Sequence, residues 1–280
     1  MLTLKAALEE ATAAIGKVDA QAIFTHLLGV DRAYLVANPM RVLTETEDAR
    51  IDTLVARRSM GHPVAYLLGR REFYSREFTV GPDVLIPRPE TETLVEQALL
   101  RVGSHGRCLD LGTGSGAIAV TLACERPGLT VTATDTSAAA LAVARSNAAA
   151  LGCAGRIDFR QGEWYAPVAG ERFELVVANP PYVAAGDAHL AQGDLRFEPA
   201  GALTDGSADG LGSIRAIVAG GPAHLERGAW LLFEHGHDQA GAARALLTAA
   251  GFAEIVSIPD LAGVPRVAGG KIDTSTRRNP

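Results

Sequence analysis

The segment Cys108-Leu-Asp-Leu-Gly-Thr-Gly-Ser-Gly116 joins an apolar run to a loop in which every second residue is glycine. A helix-length segment follows, so the loop lies at a turn from a strand to a helix. Glycines here let a ligand approach the backbone closely because they carry no side chain. Asp135 ends the next predicted strand, where its carboxylate suits ribose hydroxyls. This order predicts a nucleoside-type cofactor, bound by Gly112, Thr113, Gly114, Ser115, Gly116 and Asp135.

Two cofactors are compatible with the loop taken alone. Gly112-x-Gly114-x-x-Ala117 also satisfies the dinucleotide pattern, which would bind NAD. Asp110, two residues before the first glycine, favours S-adenosylmethionine. A carboxylate there suits a cationic methionine portion and would repel a pyrophosphate. The alternative role for Asp110 is a capping acid at the strand end.

On both sides of this segment, strands and helices alternate. A helix is predicted at about 90–102, and strands near 107–111, 129–134, 156–160, 174–178, 229–234 and 252–258. Helix-length segments separate most of them. The alternation predicts an α/β fold with a doubly wound, mostly parallel sheet.

The first quarter of the chain has a different pattern. Apolar residues recur at helical spacing in 2–15, 18–30 and 45–59, and Thr44 with Glu47 forms a capping box for the third helix. Residues 73–88 alternate and turn at Gly81-Pro82-Asp83, which predicts a β-hairpin. We therefore expect a helical domain at 1–72, a hairpin linker at 73–89 and a catalytic domain at 90–280. The tail 274–280 is predicted to be disordered.

Composition limits the class of protein. The 280 residues are 48% hydrophobic, which suffices for one large domain or for a small and a medium domain, and we expect two domains. There is no apolar run of 18 residues and no basic segment leading into an apolar stretch at the start. The odd number of cysteines, three, fits a reducing compartment. We expect a soluble, cytoplasmic protein with no contact to a membrane.

Charge argues against a nucleic-acid substrate. The net charge is −6, and residues 1–80 are balanced with 10 basic and 10 acidic side chains. Residues 81–280 hold the remaining 16 basic and 22 acidic ones, so the excess lies in the predicted catalytic part. Binding to nucleic acid draws most of its affinity from basic residues on phosphates.

Asn179-Pro180-Pro181-Tyr182 follows an apolar strand and has the features of a clamp for a planar NH2 group. The prolines stiffen the turn and push Asn179 towards extended geometry. The NH2 group would donate to the Asn179 side-chain oxygen and to the Pro180 carbonyl, and the Tyr182 ring would cover its π face. The nitrogen lone pair would then point at an electrophile. A plain proline-rich turn is the alternative.

Several segments together resemble a known family: Pro63–Arg70, Arg71–Tyr74, Val84–Glu92, Asp110–Gly116, Asn179–Tyr182, Arg196–Pro199, Asp209–Leu211 and Glu234–Gln239. Over nearly its whole length the chain resembles the protein-(glutamine-N5) methyltransferases that modify peptide-chain release factors, within the class I S-adenosylmethionine-dependent methyltransferases. The resemblance implies a helical domain that helps to hold the release factor, a hairpin linker and a seven-stranded catalytic domain. It implies cofactor contacts by the glycine loop, Asp135, Trp164 and Asn179, with S-adenosylhomocysteine as product. The target would be the glutamine of a Gly-Gly-Gln segment.

Other polar residues admit two interpretations. Arg88 and Glu90 either orient the hairpin over the substrate or form a structural salt bridge. Arg196 and Glu198 either belong to a mobile flap or anchor a loop. Glu234, His235 and His237 suggest a metal site, but two histidines two residues apart have no third ligand at a suitable spacing, so we expect no metal.

Three other functions fit parts of the pattern. An N6-adenine methyltransferase would use the same clamp on adenine's NH2 group. A relative could methylate a glutamine of a ribosomal protein, and a non-catalytic binding module could retain the fold. The intact clamp, glycines and Asp135 favour an enzyme, which we expect to be monomeric.

Overall fold

The structure is a computed structural model, and it describes residues 2–273; the tail 274–280 lies outside the described residues. The chain divides into two compact units. One contains residues 2–70 together with Gln192–Phe197, and the other contains residues 71–191 and 198–273. The boundaries at residues 72 and 89 stay a prediction, and the sequence alone does not indicate that Gln192–Phe197 belongs with the helices.

The first unit is helical. The Thr44 hydroxyl accepts from the Glu47 N–H at 3.2 Å and the Glu47 carboxylate accepts from the Thr44 N–H at 3.0 Å, which confirms the capping box. Two short helices were not foreseen from periodicity because they span fewer than two turns. The unit contains α1 (Leu4–Ile15), α2 (Lys17–Leu28), α3 (Arg32–Ala37), α4 (Glu45–Ser59) and α5 (Val64–Leu68). Its core includes Leu4, Ile23, Phe24 and Ile51, which are fully or nearly fully buried.

Gln192–Phe197 is held in this unit by three kinds of contact. The Arg58 guanidinium pairs with the Asp194 carboxylate at 2.7 Å. Arg196 donates to the Met60 carbonyl at 2.6 Å, and the Phe197 and His62 rings lie 4.3 Å apart. Arg196 therefore anchors this segment, which is one of the two interpretations offered by the sequence.

The hairpin lies earlier than predicted. Its strands are β1 (Arg70–Phe73) and β2 (Arg76–Thr79), and its turn is Tyr74–Ser75, where both residues have positive φ angles of 51° and 57°. Such a turn favours Asn and Gly, so composition does not reveal it. A separate turn exists at the predicted place, with the Val84 N–H donating to the Gly81 carbonyl, but it joins no strands.

The second unit contains the large sheet. Its helices are α6 (Thr91–Arg101), α7 (Ala117–Glu125), α8 (Ala138–Ala150), α9 (Ala200–Leu203), α10 (Gly212–His224) and α11 (Ala240–Ala249). Its strands are β3 (His105–Leu111), β4 (Gly128–Asp135), β5 (Ile157–Gln161), β6 (Phe173–Ala178), β7 (Leu225–Glu234), β8 (Phe252–Pro259) and β9 (Pro265–Ile272). Short 3₁₀ turns occur at Ala154–Arg156, Ala166–Val168, Ala188–Ala191 and, in the first unit, Leu195–Phe197.

The seven described strands have the order β5-β4-β3-β6-β7-β9-β8, and β9 runs in the direction opposite to the other six. This confirms the doubly wound α/β prediction. Periodicity did not indicate β9 because Gly269 and Gly270 interrupt it. Both glycines are needed, since a Cβ at Gly269 would lie 2.5 Å from the Leu231 carbonyl and one at Gly270 would lie 2.7 Å from the Phe252 Cβ.

Each face of the sheet carries its own apolar core. Cys108, Val177 and Leu232 belong to the core that includes α6 and α7, and Leu109 and Phe233 belong to the core that includes α10 and α11. The parallel strands all end at one edge, where loops at a change of strand order form ligand sites. None of the helices in residues 2–273 is both long and apolar enough to cross a membrane.

Candidate active site

A cavity of about 500 Å³ lies in the second unit at the carboxyl edge of the sheet. Sites for small molecules typically have volumes of ~300–1,000 Å³. Among the predicted residues, those that line it are Gly112, Thr113, Gly114, Ser115, Asp135, Trp164, Asn179 and Pro181. The predicted residues outside its lining are Asp110, Gly116, Pro180, Tyr182, Arg88 and Glu90.

The glycine loop is tied to the neighbouring strand. The N–H groups of Gly112 and Thr113 both donate to the Thr134 carbonyl, at 2.9 and 3.0 Å. Gly116 has a φ of +81°, and a Cβ added there would lie 3.1 Å from the Ala144 Cβ. The sequence therefore needs glycine at this position for two reasons, the left-handed backbone and the close approach of α8.

Asp135 lies in the cavity wall, half-buried at the end of β4. Its Oδ2 accepts from the Gly114 N–H at 2.9 Å and its Oδ1 from the Ser137 N–H at 2.9 Å. These bonds hold the carboxylate in place, and each oxygen keeps a further lone pair for a ligand. The geometry suits an acceptor for ribose hydroxyls.

Asp110 is fully buried beneath the loop rather than in the cavity wall. Its Oδ2 accepts from the Thr113 hydroxyl at 2.7 Å and from the Ala119 N–H at 3.2 Å, whereas Oδ1 has no hydrogen-bond partner within residues 2–273. Burial raises the pKa of Asp110 to about 7, although the two hydrogen bonds by themselves lower it. The side chain thus joins the loop to the first turn of α7, and a role for its charge towards a cofactor stays a prediction.

Trp164 lies half-buried in the cavity wall. Its backbone has a φ of +42°, an uncommon conformation for a bulky residue, and its carbonyl accepts from the Thr134 hydroxyl at 3.1 Å. A Cβ added at Gly112 would lie 3.5 Å from the indole Cζ3, so the ring lies directly beside the glycine loop. Strain of this kind clusters at ligand sites, where surrounding contacts maintain it.

Asn179 follows β6 and is held by a buried network. Its Nδ2 donates to the Thr91 hydroxyl at 3.1 Å, and that hydroxyl donates to Glu234 Oε2 at 2.7 Å. Thr91 is the first residue of α6, and Glu234 ends β7 and is 1% exposed. Burial raises the pKa of Glu234.

The rest of the Asn-Pro-Pro-Tyr turn is divided between the cavity and the protein interior. Pro181 lies in the cavity wall, and Pro180 is buried behind it. The Tyr182 hydroxyl donates to Glu234 Oε1 at 2.9 Å, and burial raises the pKa of Tyr182. The Tyr182 carbonyl accepts from Gln239 Nε2 at 3.0 Å. A stacking contact of the Tyr182 ring with a substrate stays a prediction.

Arg88 and Glu90 lie near the cavity without lining it. Arg88 pairs with Glu198, which is buried and also accepts from the Ile86 N–H at 2.9 Å. Glu90 precedes α6 as its N-cap, without a side-chain capping bond. Arg88 therefore forms a salt bridge, and Glu198 anchors the segment that leads into α9. A contact of Arg88 or Glu90 with a substrate stays a prediction.

The two histidines near Glu234 are separated by burial. His235 is buried, its Nδ1 lies 2.8 Å from the Gly236 carbonyl, and burial lowers its pKa. His237 is exposed. No group of three or more His, Cys, Asp or Glu side chains within residues 2–273 is placed to hold a metal ion.

Sequence reasoning missed the hydrogen bonds by which Thr91, Gln239 and Glu234 hold the Asn179–Tyr182 turn. The sequence offered one signal for these contacts, which is the single acid, Glu234, at the end of the apolar run 230–233. Other lining residues come from segments without a recognisable motif, and they include Leu85, Pro87, Ala202, Thr204, Asp205 and Ser213.

Sequence models of known domains match both parts of the chain. The sequence model described as methyltransferase small domain matches residues 89–204, and that of the PrmC N-terminal domain matches residues 3–69. A methyltransferase from Pyrococcus furiosus has a similar fold, with a TM-score of 0.55 at 16% identity, covering 82% of this chain and 100% of that one. Fold, cavity and sequence together define a class I S-adenosylmethionine-dependent methyltransferase.

Curated relatives identify the family. The chain is 52% identical over 257 residues to the release factor glutamine methyltransferase of Bordetella pertussis, covering 91% of this chain and 94% of that protein. It is 50% identical over 268 residues to that of Xylella fastidiosa (strain Temecula1), covering 95% and 97%. The chain belongs to the release factor glutamine methyltransferase family.

Proposed function

We propose that this protein transfers the methyl group of S-adenosylmethionine to the side-chain nitrogen, N5, of the glutamine in the Gly-Gly-Gln segment of peptide-chain release factors. S-adenosylhomocysteine would be the other product. The observation that carries the proposal is that Asn179 lines the same cavity as the glycine loop and Asp135. The names of the relatives in Bordetella pertussis and Xylella fastidiosa support the choice of substrate.

The residues present fit the cofactor. Its sulfonium group supplies an electrophilic methyl group and needs no metal. Asp135 would accept hydrogen bonds from ribose hydroxyls, the Trp164 ring would cover the adenine, and the glycine loop would admit the ligand close to its backbone. The remaining lone pairs of the Asp135 carboxylate support this assignment.

Asn179 and Pro180 would orient the substrate amide. A glutamine nitrogen is a weak nucleophile because its lone pair is delocalised, so orientation is the main requirement. Asn179 Oδ1 and the Pro180 carbonyl would accept one N–H each, with Pro181 beside them and Tyr182 completing the turn. Positioning of this kind is worth ~7–11 kcal/mol in favourable cases. The methylated nitrogen then loses a proton to water or to an acceptor in the clamp, so no general base acts during transfer.

The helical unit would help to hold the release factor. We propose a division into a helical domain at 1–72, a linker at 73–89 that includes the second hairpin strand, β2, and a catalytic domain at 90–280. The enzyme would act as a monomer in the cytoplasm without contacting nucleic acid or membranes. The acidic excess of residues 81–280 supports the exclusion of nucleic acid.

Methyl transfer from labelled S-adenosylmethionine tests the substrate. Purified release factor, ribosomal protein and DNA are incubated separately with enzyme, and the label is mapped by mass spectrometry. We expect label on the glutamine of Gly-Gly-Gln alone. A release factor with glutamate at that position has no amide nitrogen and serves as the control. Label that appears only on DNA or on ribosomal protein would overturn the proposal.

Asn179→Ala tests the clamp. The variant removes one of the two acceptors, which leaves an unpaired N–H on the bound amide and costs about 1–3 kcal/mol in addition to lost orientation. We expect methylation to be abolished and binding of S-adenosylmethionine, measured by calorimetry, to stay measurable. Turnover close to that of the unmodified protein contradicts the clamp.

A further inference from the structure

We propose that Thr91 and Glu234 are positioning residues, which set the orientation of the Asn179 amide so that its oxygen, and not its NH2 group, faces the substrate. The inference rests on the proposed function, since it concerns the acceptor offered to the substrate nitrogen. Neither residue is part of the Asn-Pro-Pro-Tyr turn. Both come from other elements, α6 and β7.

Shape alone does not choose between the two orientations of an asparagine amide. Oxygen and NH2 have nearly the same size, so a half-turn of the amide leaves its packing unchanged. The hydrogen-bond partners decide instead. At Asn179 this partner is the Thr91 hydroxyl, 3.1 Å from Nδ2.

Glu234 determines which way the Thr91 hydroxyl points. The Thr91 hydroxyl donates its single proton to the Glu234 carboxyl oxygen Oε2, at 2.7 Å. The hydroxyl then has only lone pairs left for Asn179. Asn179 must present its NH2 group to Thr91, which turns Oδ1 the other way. If the amide were flipped, Asn179 Oδ1 would face the Thr91 oxygen, so that two acceptors would meet. The Asn179 NH2 group would then face the substrate NH2 group, so that two donors would meet.

The second carboxylate oxygen supports the other end of the turn. Glu234 Oε1 accepts from the Tyr182 hydroxyl at 2.9 Å, so one buried side chain supports the last residue of Asn179–Tyr182 directly and the first through Thr91. Burial, which is the largest effect, and Glu90 raise the pKa of Glu234, whereas the bonds from Thr91 and Tyr182 and the charge of Arg266 lower it. The two hydroxyl donors offset part of the cost of burying the carboxylate.

Thr91 is available for this role because of its place in α6. It is the first helical residue and is 3% exposed, and its hydroxyl bonds to Asn179 and Glu234 rather than capping the helix. Neighbouring Glu92 is engaged elsewhere, accepting from the Tyr74 N–H at 2.8 Å. The Thr91 hydroxyl is therefore committed to its bonds with Asn179 and Glu234.

Thr91→Val tests the proposal because it keeps the shape and removes the hydroxyl. We expect kcat for release-factor methylation to fall about 10- to 100-fold, the range that corresponds to an unpaired buried donor or acceptor. KM for the release factor and the Kd for S-adenosylmethionine should change less than about threefold. Thr91→Ser keeps the hydroxyl and should recover most of kcat.

Thr121→Val is the matched control. Thr121 is also a buried threonine of the second unit, and its hydroxyl has no hydrogen-bond partner among the described residues. This variant should keep kcat. An unchanged kcat in Thr91→Val, or an equal loss in Thr91→Ser, would overturn the positioning role.

Two variants at Glu234 keep the test valid if Thr91→Val fails to fold. Glu234→Gln can still accept from Thr91 through its amide oxygen and should retain more kcat than Glu234→Leu, which cannot accept. Equal kcat in the two variants would contradict the proposal. A wrong substrate assignment can be distinguished from a wrong positioning role. In the first case the unmodified enzyme would label another NH2 group, and the same ratios of kcat could be measured on that substrate.

Discussion

Asp110 and Asp135 lie near the ends of neighbouring parallel strands, but their surroundings differ. Asp135 is half-buried in the cavity wall, where backbone N–H groups of the glycine loop and of Ser137 hold it. Asp110 is 0% exposed, and one of its oxygens has no hydrogen-bond partner in the part of the chain that the structure describes. An acid in the first environment stays available to a ligand, whereas an acid in the second is pushed towards its neutral form.

Asp110 makes stability depend on pH. It keeps its proton up to a pKa of about 7 in the folded protein, against 3.8 for an ordinary aspartate. The folded state therefore binds more protons than the unfolded state between these values, and its stability falls as pH rises through that window. The full window is worth on the order of 4 kcal/mol.

Asp110→Asn should remove this pH dependence. The amide oxygen can replace Oδ2 as acceptor for Thr113 and Ala119, and no charge forms. We expect urea unfolding at pH 8 to give a higher stability for the variant, and the two proteins to converge near pH 4. Parallel pH profiles for the two proteins would show that Asp110 is ionised in the folded state.

At the scale of elements, glycine spacing predicted the ligand-binding loop, whereas turn composition did not predict the hairpin. The glycine loop was recognised because a ligand-binding turn between a strand and a helix requires small residues at several positions. The Tyr74–Ser75 turn was missed because both residues have positive φ angles without being glycine or asparagine. Contacts outside the turn maintain it, such as the bond from the Tyr74 N–H to Glu92 at 2.8 Å.

Gly116→Ala measures how much the packing of α8 adds to backbone strain. Gly152→Ala is its control, because Gly152 also has a positive φ, +71°, but nothing lies within 4 Å of an added Cβ. A left-handed alanine costs about 1–2 kcal/mol at either position. Gly116→Ala should cost more, since its Cβ lies 3.1 Å from the Ala144 Cβ. Equal shifts of the urea midpoint would mean that α8 moves aside freely.

At the scale of the whole molecule, each compact unit has a separate apolar core. Phe24 lies fully buried among the helices of the first unit, and Phe78 lies fully buried in the core that includes one face of the sheet. The chain leaves the second unit after Ala191, contributes Gln192–Phe197 to the first and returns at Glu198. The return is anchored because Glu198 accepts from the Ile86 N–H.

Phe24→Ala should destabilise the helical unit alone. Removing a buried phenylalanine costs about 3–5 kcal/mol. We expect faster hydrogen exchange, measured by mass spectrometry, in residues 4–68 and 192–197, with unchanged affinity for S-adenosylmethionine. Phe78→Ala is the matched variant and should speed exchange in residues 71–191 and 198–273. Faster exchange across the whole chain in both variants would show that the units unfold together.

By itself, the sequence determined the features that depend on local pattern. Helical periodicity, the Thr44–Glu47 capping box and the alternation of strands and helices follow from which residues repeat at which spacing, and they predicted the fold class. Local pattern also predicted the site and its chemistry. The signals were the spacing from the glycine loop to Asp135 and the tetrapeptide Asn179-Pro-Pro-Tyr182.

Only the tertiary structure decided which side chains meet. Thr91, Asn179 and Glu234 come from three elements that are distant in sequence, and their hydrogen bonds exist because the sheet order brings β6 beside β7 under α6. The burial of Asp110 and the attachment of Gln192–Phe197 to the helices are decided in the same way. Such contacts depend on packing between elements, and no local sequence pattern records them.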